Sequence, residues 1–333
     1  MSTRLTELAV ATSPGRWRCG VCQWHCELGE AETGRCLVRA GSAEGIVALN
    51  HALVSAAQVG PIEDHRLWHF FPGTPVLSVG SWGYAFPADQ QHGQYARIPE
   101  DPDRRRELEP ERVAMVALER LCRGVIWSYS DPSVSQEYVL DVLRTARASS
   151  RYTGLVTSGY ATIAAVDQYG HYLDGISLEL RAFDESAYRR LAGINEWQGI
   201  LEAAVHAHTR WGCHMEVVTR LHPGVNDNSE QIMALANWIA EALGDYTPWH
   251  ILPGDAGTAA AAAVVRARKL ARDVGLFYVY GNDAGQSTSC PSCHALIADR
   301  SATRVKIVGL DGDRCSSCGA NLHFRTSIFK RAL

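Results

Sequence analysis

The chain lacks any long hydrophobic run. No stretch approaches the ~18 uncharged apolar residues that a membrane span requires. The softest one, Ala259 to Val265, leads into Arg266, Arg268 and Lys269 and reads as an amphipathic helix. No secretory leader is expected either, since the apolar patch Leu8 to Ala11 is too short for one. A cytoplasmic location is the expectation. Nor is there an excess of positive charge. Lys and Arg number 32 against 36 Asp and Glu, for a net charge of -4 and a pI near 6.4. That balance gives no general attraction to nucleic acid or to anionic lipid. The one basic run, Arg104-Arg105-Arg106, lies in a loop rich in Pro, Asp and Glu and reads as solvated surface. What is present is a 333-residue chain of 46% hydrophobic and 20% charged residues. It is long enough for one barrel-sized domain with small appendages.

Cysteine is abundant and unevenly placed. Eight of the ten thiols form two tight groups near the ends, while Cys122 and Cys213 stand alone and read as core. In a reducing compartment such grouping points to metal rather than to disulfides. The first group is Cys19, Cys22 and Cys26 with Cys36 ten residues on. Zinc is the first expectation there and an iron–sulfur cluster the second. The second group, Cys290-Pro-Ser-Cys293 and Cys315-Ser-Ser-Cys318, is two knuckles around a strand-like stretch from Arg304 to Leu310. That pattern predicts a zinc ribbon.

Between the groups, strands and helices alternate. Strands are expected at Pro75–Val79, Gly124–Tyr129, Tyr152–Thr157, Gly175–Leu180, His214–Leu221, Pro248–Leu252 and Leu276–Tyr280. Helices are expected at Glu109–Arg123, Ser133–Ala148, Ile163–Tyr169, Glu185–Ala192, Glu196–Trp211, Asn228–Leu243 and Thr258–Val274, on apolar spacings such as Val139, Val142, Leu143 and Ala146. This alternation predicts a parallel α/β sheet or barrel, with chemistry at the C-terminal strand ends. Val54 to Gly73 reads as a connector whose aromatic patch, Leu67-Trp68-His69-Phe70-Phe71, packs the N-terminal module.

Several motifs occur in an order that resembles one family. They include Gly34-Arg35-Cys36-Leu37-Val38-Arg39, Pro61-Ile62-Glu63, Leu77-Ser78-Val79-Gly80 and Tyr129-Ser130-Asp131-Pro132. Further matches are Val156-Thr157-Ser158-Gly159-Tyr160, Pro223-Gly224-Val225-Asn226-Asp227, Pro248-Trp249-His250 and Val279-Tyr280-Gly281-Asn282. From Cys19 to Gly319 the chain resembles the radical S-adenosylmethionine (SAM) protein of the AmmeMemoRadiSam system, related to pyruvate formate-lyase activating enzymes. The resemblance implies an α/β fold: a partial (β/α)6 TIM-like barrel of the radical SAM type, with an N-terminal four-cysteine metal module and a C-terminal zinc ribbon. The corresponding domains are residues 1–73, 74–284 and 285–333. It also implies three cluster-binding cysteines after the first barrel strand. Here those positions are Tyr84, Ala88 and Gln91, and the site is degenerate. No [4Fe-4S] cluster is expected on such side chains, which offer no soft thiolate.

The polar residues expected at strand ends are the candidate site. Asp131, Glu179 and His250 are the candidate catalytic bases. Tyr84, Gln91, Ser128, Ser158, Arg181, Glu216 and Arg220 are the candidate contacts for SAM or an amino-acid-like substrate, since guanidiniums bind carboxylates and carboxylates hold an ammonium or sulfonium. The plainer alternative is a set of inherited ion pairs. Asp89 and His92 form a weak candidate for another metal. The expected function is therefore a cluster-less enzyme catalysing a non-radical, polar group transfer or elimination. The alternative is a catalytically silent accessory subunit that binds a partner, an AMMECR1-like or Memo-like protein. A nucleic-acid role for the ribbon is disfavoured by the acidic pI.

Overall fold

A computed structural model describes residues 4–254, 257–281, 286–301 and 304–328. Asn282, part of one motif above, lies outside the described residues. The chain divides into two compact units. The first holds residues 4–60, 75–175 and 191–213, and the second holds 61–74, 176–190 and 214–328 of those described.

In the first unit, sheet strands run in the order β1 (Ala56–Pro61), β2 (Pro75–Gly80), β3 (Gly124–Trp127) and β4 (Tyr152–Thr157). β2, β3 and β4 are parallel, with Val76 opposite Gly124 and Gly124 opposite Tyr152. Every residue of β3 is buried, as expected where both faces of a parallel strand are covered. Gly80 is required where β2 ends: a Cβ there would stand 1.9 Å from the Ser128 carbonyl oxygen. Helices follow the strands. α1 (Pro87–His92) is a short helix in the stretch that follows β2, with Pro87 in its first turn. α2 (Pro110–Glu119) stops four residues before the expected end. α3 (Gln136–Ala148) buries Val139, Val142, Leu143 and Ala146 as one stripe. α4 (Ile163–Gly170) is capped by the Thr162 hydroxyl, which accepts from Ala165 N at 3.1 Å.

The N-terminal segment of this unit is β-rich. One antiparallel sheet joins Ala9–Ser13, Arg16–Cys19 and Glu27–Gly29; another joins Arg4–Leu5, Gly45–Ala48 and Arg39–Ser42. Their small core is Cys19, Val21, Leu28 and Ile46. Arg39 reaches Glu137 of α3 through paired bonds of 2.9 and 2.6 Å, both side chains almost fully buried. Burial works against charge on Glu137, but the Arg39 guanidinium outweighs it and holds the carboxyl below its ordinary range.

In the second unit, the order is β5 (Gly175–Glu179), β6 (His214–Leu221), β7 (Trp249–Pro253) and β8 (Val279–Tyr280). β6, β7 and β8 are parallel, pairing Val218 with His250 and His250 with Tyr280. β8 is shorter than the Leu276–Tyr280 expected from sequence. α5 (Glu185–Leu191) follows β5, and α6 (Gln198–Trp211) belongs to the first unit. α7 (Ser229–Trp238) is capped by Asn228 and runs into a π-turn over Ile239–Leu243, so the single expected helix is two geometries. α8 (Thr258–Val274) buries its alanine stripe, Ala260, Ala263, Ala267 and Ala271, and ends at Gly275 with φ 114°. Short strands Thr288–Ser289, Leu296–Asp299 and Lys306–Ile307 form the C-terminal sheet, followed by the hairpin Leu310–Asp311 and Arg314–Cys315. Among the described residues, no helix is long and apolar enough to cross a membrane.

Candidate functional site

The loop after β2 places no thiol at the three positions that the resemblance assigns to cluster cysteines. Tyr84 is half-buried and its hydroxyl donates to the Tyr129 carbonyl at 3.0 Å. Burial raises its phenol above the ordinary value. Ala88 contributes its backbone N–H to the Ala192 carbonyl at 3.2 Å, and Gln91 is exposed. His92 is exposed beside it, and Asp89 is half-buried. Among the described residues, no group of three or more metal-ligating side chains closes around this loop. The residues present do not fit an iron–sulfur cluster, because a phenol, a methyl and an amide stand where three thiolates are needed.

Asp131 follows β3 and is 6% exposed. Its Oδ1 accepts from Ser133 N at 3.0 Å, Ser133 Oγ at 2.8 Å and Thr157 Oγ1 at 3.3 Å, and its Oδ2 accepts from Ser158 Oγ. The carboxylate thereby caps the 3-10 turn Pro132–Val134 and fastens it to the end of β4. Ser128, half-buried, donates its N–H to Val79 O at 2.7 Å and accepts from Ser130 N at 2.9 Å.

The second unit holds a different centre. His214 and Glu216 stand two apart on β6 and so share one sheet face. Val218 lies on that face too, and register carries it to His250 and then to Tyr280. Glu216 is fully buried. Its Oε1 accepts from His69 N at 2.7 Å and meets His214 Nε2 at 3.1 Å, while its Oε2 meets His250 Nε2 at 2.8 Å. Burial pushes the Glu216 carboxyl up, but the hydrogen bonds and charge of His214 and His250 outweigh it and hold it well below the carboxylate range. His250 is also fully buried. Burial lowers its imidazole, with Glu216 opposing. Ionised Glu216 accepts only, so both facing Nε2 atoms carry the protons. This tautomer leaves the lone pair of His250 on Nδ1, which has no hydrogen-bond partner among the described residues.

Aromatic rings enclose this pair. Trp68 packs edge-on at 5.0 Å and Tyr280 stacks at 5.2 Å against the His250 ring. His69 Nε2 meets Tyr280 Oη at 2.7 Å, which in turn meets Thr288 Oγ1 at 2.7 Å. Arg300 donates to Thr288 Oγ1 at 2.7 Å and to the Trp68 carbonyl at 2.9 Å. His69 stacks on Phe324 at 4.0 Å, and its carbonyl accepts from Arg325 N at 2.8 Å. Burial also pushes His69 well down and His65 down to about 4. The other candidates are more open. Glu179 and Arg220 approach only to 4.0 Å with side chains 34% and 53% exposed, a weak pair. Arg181 is half-buried, and its carbonyl accepts from Asn226 Nδ2 at 2.6 Å. Sequence reasoning chose Glu216 and His250 but missed His69, His214 and Tyr280. The sole sequence signal for His214 was its place two residues before Glu216; His69 read only as part of a packing patch.

The two cysteine groups also differ. The Sγ atoms of Cys290, Cys293, Cys315 and Cys318 all lie within 4.8 Å of one another, with Cys290–Cys318 and Cys293–Cys315 both at 3.7 Å. A tetrahedral ion with bonds of about 2.3 Å requires sulfur–sulfur edges of about 3.8 Å, so the set fits such an ion. Burial alone would raise the Cys315 thiol; the N–H groups of Cys318 and Ser317 outweigh it and bring it down to about 6. Cys19, Cys22, Cys26 and Cys36 are near enough to influence one another electrostatically, but no three of their sulfurs close to that distance. Burial pushes Cys36 up to about 11 and Cys22 well up. Cys122 and Cys213 are buried, the latter donating to the Leu173 carbonyl at 3.5 Å.

No family model matches the chain. It is 28% identical over 319 residues to an uncharacterised protein of Methanocaldococcus jannaschii, covering 92% of this chain and 94% of that one. It is 28% identical over 132 residues to the isethionate sulfite-lyase activating enzyme of Oleidesulfovibrio alaskensis, covering 39% of this chain and 42% of that enzyme. A radical SAM methyltransferase from Sphaerobacter thermophilus aligns in structure with a TM-score of 0.48 and 15% identity, over 68% of this chain and 71% of that one.

Proposed function

We propose that the chain is a cluster-less relative of radical SAM enzymes that binds SAM or an amino-acid-like molecule and catalyses a polar group transfer or elimination. The observation that carries this reading is the Glu216–His250 pair: a buried imidazole whose Nδ1 keeps its lone pair, oriented through Nε2 by a carboxylate 2.8 Å away. A neutral imidazole held this way presents Nδ1 as the nitrogen that would accept a proton. A sulfonium supplies an electrophilic carbon, so the protein has to provide only alignment and a base. Asp131 is less suited, because hydroxyl and amide donors already occupy both of its oxygens. Glu179 remains a proposed base and Arg181 and Arg220 proposed substrate contacts of the second unit, while Tyr84, Gln91, Ser128 and Ser158 remain the proposed contacts of the first.

In this reading residues 1–73, 74–284 and 285–333 are the N-terminal metal module, the barrel and a zinc ribbon. Zinc is the ion we assign to Cys290, Cys293, Cys315 and Cys318, and a structural metal to Cys19, Cys22, Cys26 and Cys36. Isothermal titration with SAM, on protein purified without oxygen and assayed for zinc, iron and sulfide, tests the proposal. Saturable SAM binding that weakens in Glu216→Gln and His250→Gln, on iron-free protein, is the expected result. Iron and sulfide near four per chain would overturn the cluster-less reading. The complete burial of His250 favours a second reading, a silent accessory subunit for an AMMECR1-like or Memo-like partner. Iron-free protein with no affinity for SAM or amino acids, but with a saturable protein partner, would decide for it.

A further inference from the structure

The hairpin that carries the Cys290–Cys293 knuckle also grips both rings that enclose His250. Its strands are Thr288–Ser289 and Leu296–Asp299, with Thr288 opposite Ala298. Cys290 and Cys293 lie in the connection between them, where Cys290 N donates to the Ala295 carbonyl at 2.8 Å. Arg300 continues the second strand, and its backbone N–H donates to Ser287 Oγ at 3.1 Å across the hairpin.

Each strand sends one buried side chain inward. Thr288 meets Tyr280 Oη at 2.7 Å, and the Tyr280 ring stacks on His250. Arg300 lays its guanidinium over Trp68, with the central carbon 4.6 Å from the ring centroid. It also donates to the Trp68 carbonyl at 2.9 Å and to Thr288 Oγ1 at 2.7 Å, which joins the two grips. Trp68 in turn stands edge-on to His250. Among the described residues, the imidazole makes one hydrogen bond, to Glu216, so ring packing fixes the rest of its placement.

Charge acts through the same neighbours. Burial lowers the His250 imidazole and Glu216 opposes it, while Arg66 and Arg300 lower it further. A two-stranded hairpin this short is marginal by itself. The four sulfurs of the metal-ready set join it to the hairpin that ends at Cys315.

We infer that Arg300 and Thr288 are positioning residues of the His250 base, and that metal occupancy at Cys290, Cys293, Cys315 and Cys318 regulates that base by holding the hairpin in place. With the metal bound, Trp68 and Tyr280 stay packed and keep the imidazole buried and neutral. With the metal lost, the grips loosen, water reaches His250 and its affinity for a proton rises. The part His250 plays as a base rests on the reading above, whereas the grip on its rings does not.

Exchange of the imidazole Cε1 hydrogen for deuterium, read by mass spectrometry over a pH series, tests this on the zinc-loaded full chain without substrate or turnover. The rate reports the solvent access and the midpoint of each histidine. Chelation and Thr288→Val are each expected to speed exchange at His250 at least about threefold, with the exposed His171 of the first unit unchanged. Arg300→Met should speed it and raise the His250 midpoint, because a positive charge is lost. Arg300→Lys keeps the charge and should hold the midpoint below that of Arg300→Met; a packing role alone would move both alike. Lys306→Gln, on the exposed edge of the same sheet, should change nothing. Circular dichroism and zinc content confirm that each variant is folded and loaded. Should Arg300→Met fail that check, Thr288→Val and the chelated chain carry the test. Unchanged His250 exchange in the chelated chain or in Thr288→Val, or equal midpoints in Arg300→Met and Arg300→Lys, overturns the inference. Failure of the SAM reading would look different: no SAM binding by a protein whose His250 exchange responds as stated.

Discussion

Asp131 in the first unit and Glu216 in the second are both buried carboxylates that accept several hydrogen bonds, and their donors differ. Around Asp131 the donors are the hydroxyls of Ser133, Thr157 and Ser158 and one backbone amide. None of them titrates in the ordinary pH range, so the carboxylate has no partner able to exchange a proton. Around Glu216 two donors are imidazoles. The same burial that makes Asp131 a rigid cap makes Glu216 the fixed charge of a titratable pair. Burial and hydrogen bonding alone do not mark a catalytic carboxylate; the chemistry of its donors separates the two.

The comparison can be broken by substitution. The largest effect is expected from chelation, which bears on the units rather than on the carboxylates. Removing the metal assigned to Cys290, Cys293, Cys315 and Cys318 should cost the C-terminal segment several kcal/mol of local stability. Limited proteolysis with and without chelator reads this, and early cleavage after residue 286 is the expected outcome. Next is Glu216→Ala, which leaves the donors of His69, His214 and His250 buried without an acceptor. A loss of about 3–5 kcal/mol in urea unfolding is expected. Asp131→Ala should cost less, about 1–3 kcal/mol, because its small hydroxyl donors can turn to other acceptors. Equal losses at the two positions would erase the distinction drawn here.

The pH dependence sharpens it. His65, His69 and His250 are lowered in the folded chain, so each binds its proton more readily once unfolded. Their contribution is complete above an unfolded pKa of about 6.5 and is lost as pH falls towards the folded values, about 4 for His65. Glu216 is also lowered, so its contribution is complete above about 4.3 and is lost below that. Stability should therefore decline from about pH 6.5 downward, and His250→Gln should shallow the upper part of that limb. A thermal-unfolding series from pH 8 to 4 measures it. The smallest effect is expected from Thr157→Ala, about 0.5–1.5 kcal/mol, since its 3.3 Å bond is one of several to Asp131.

The alternation of elements was readable from periodicity: β4, β6 and α8 have the boundaries their apolar spacing gave. Local signals failed where local geometry is ambiguous. α1 is six residues long and too short for a periodic stripe, and β8 is held to two residues by pairing with β7. The Glu216 centre was half legible. Strand alternation could have placed His214 beside Glu216, but bringing His250 and Tyr280 to the same face depends on register between strands, which no single segment encodes. The cysteine groups make the same point. Spacing treated both as ligand sets, and only the chain's path shows that one closes and the other stays wider.

The contacts of Phe324 and Arg325 with His69, and of Arg300 with the Trp68 carbonyl, bear on how this protein can be cut or joined. The cysteine-bearing end looks like a detachable module in the sequence. A version shortened before residue 286 would strip Phe324 from the His69 ring and Thr288 from the Tyr280 hydroxyl. Such a truncation would report on a disturbed core rather than on a barrel freed of an ornament.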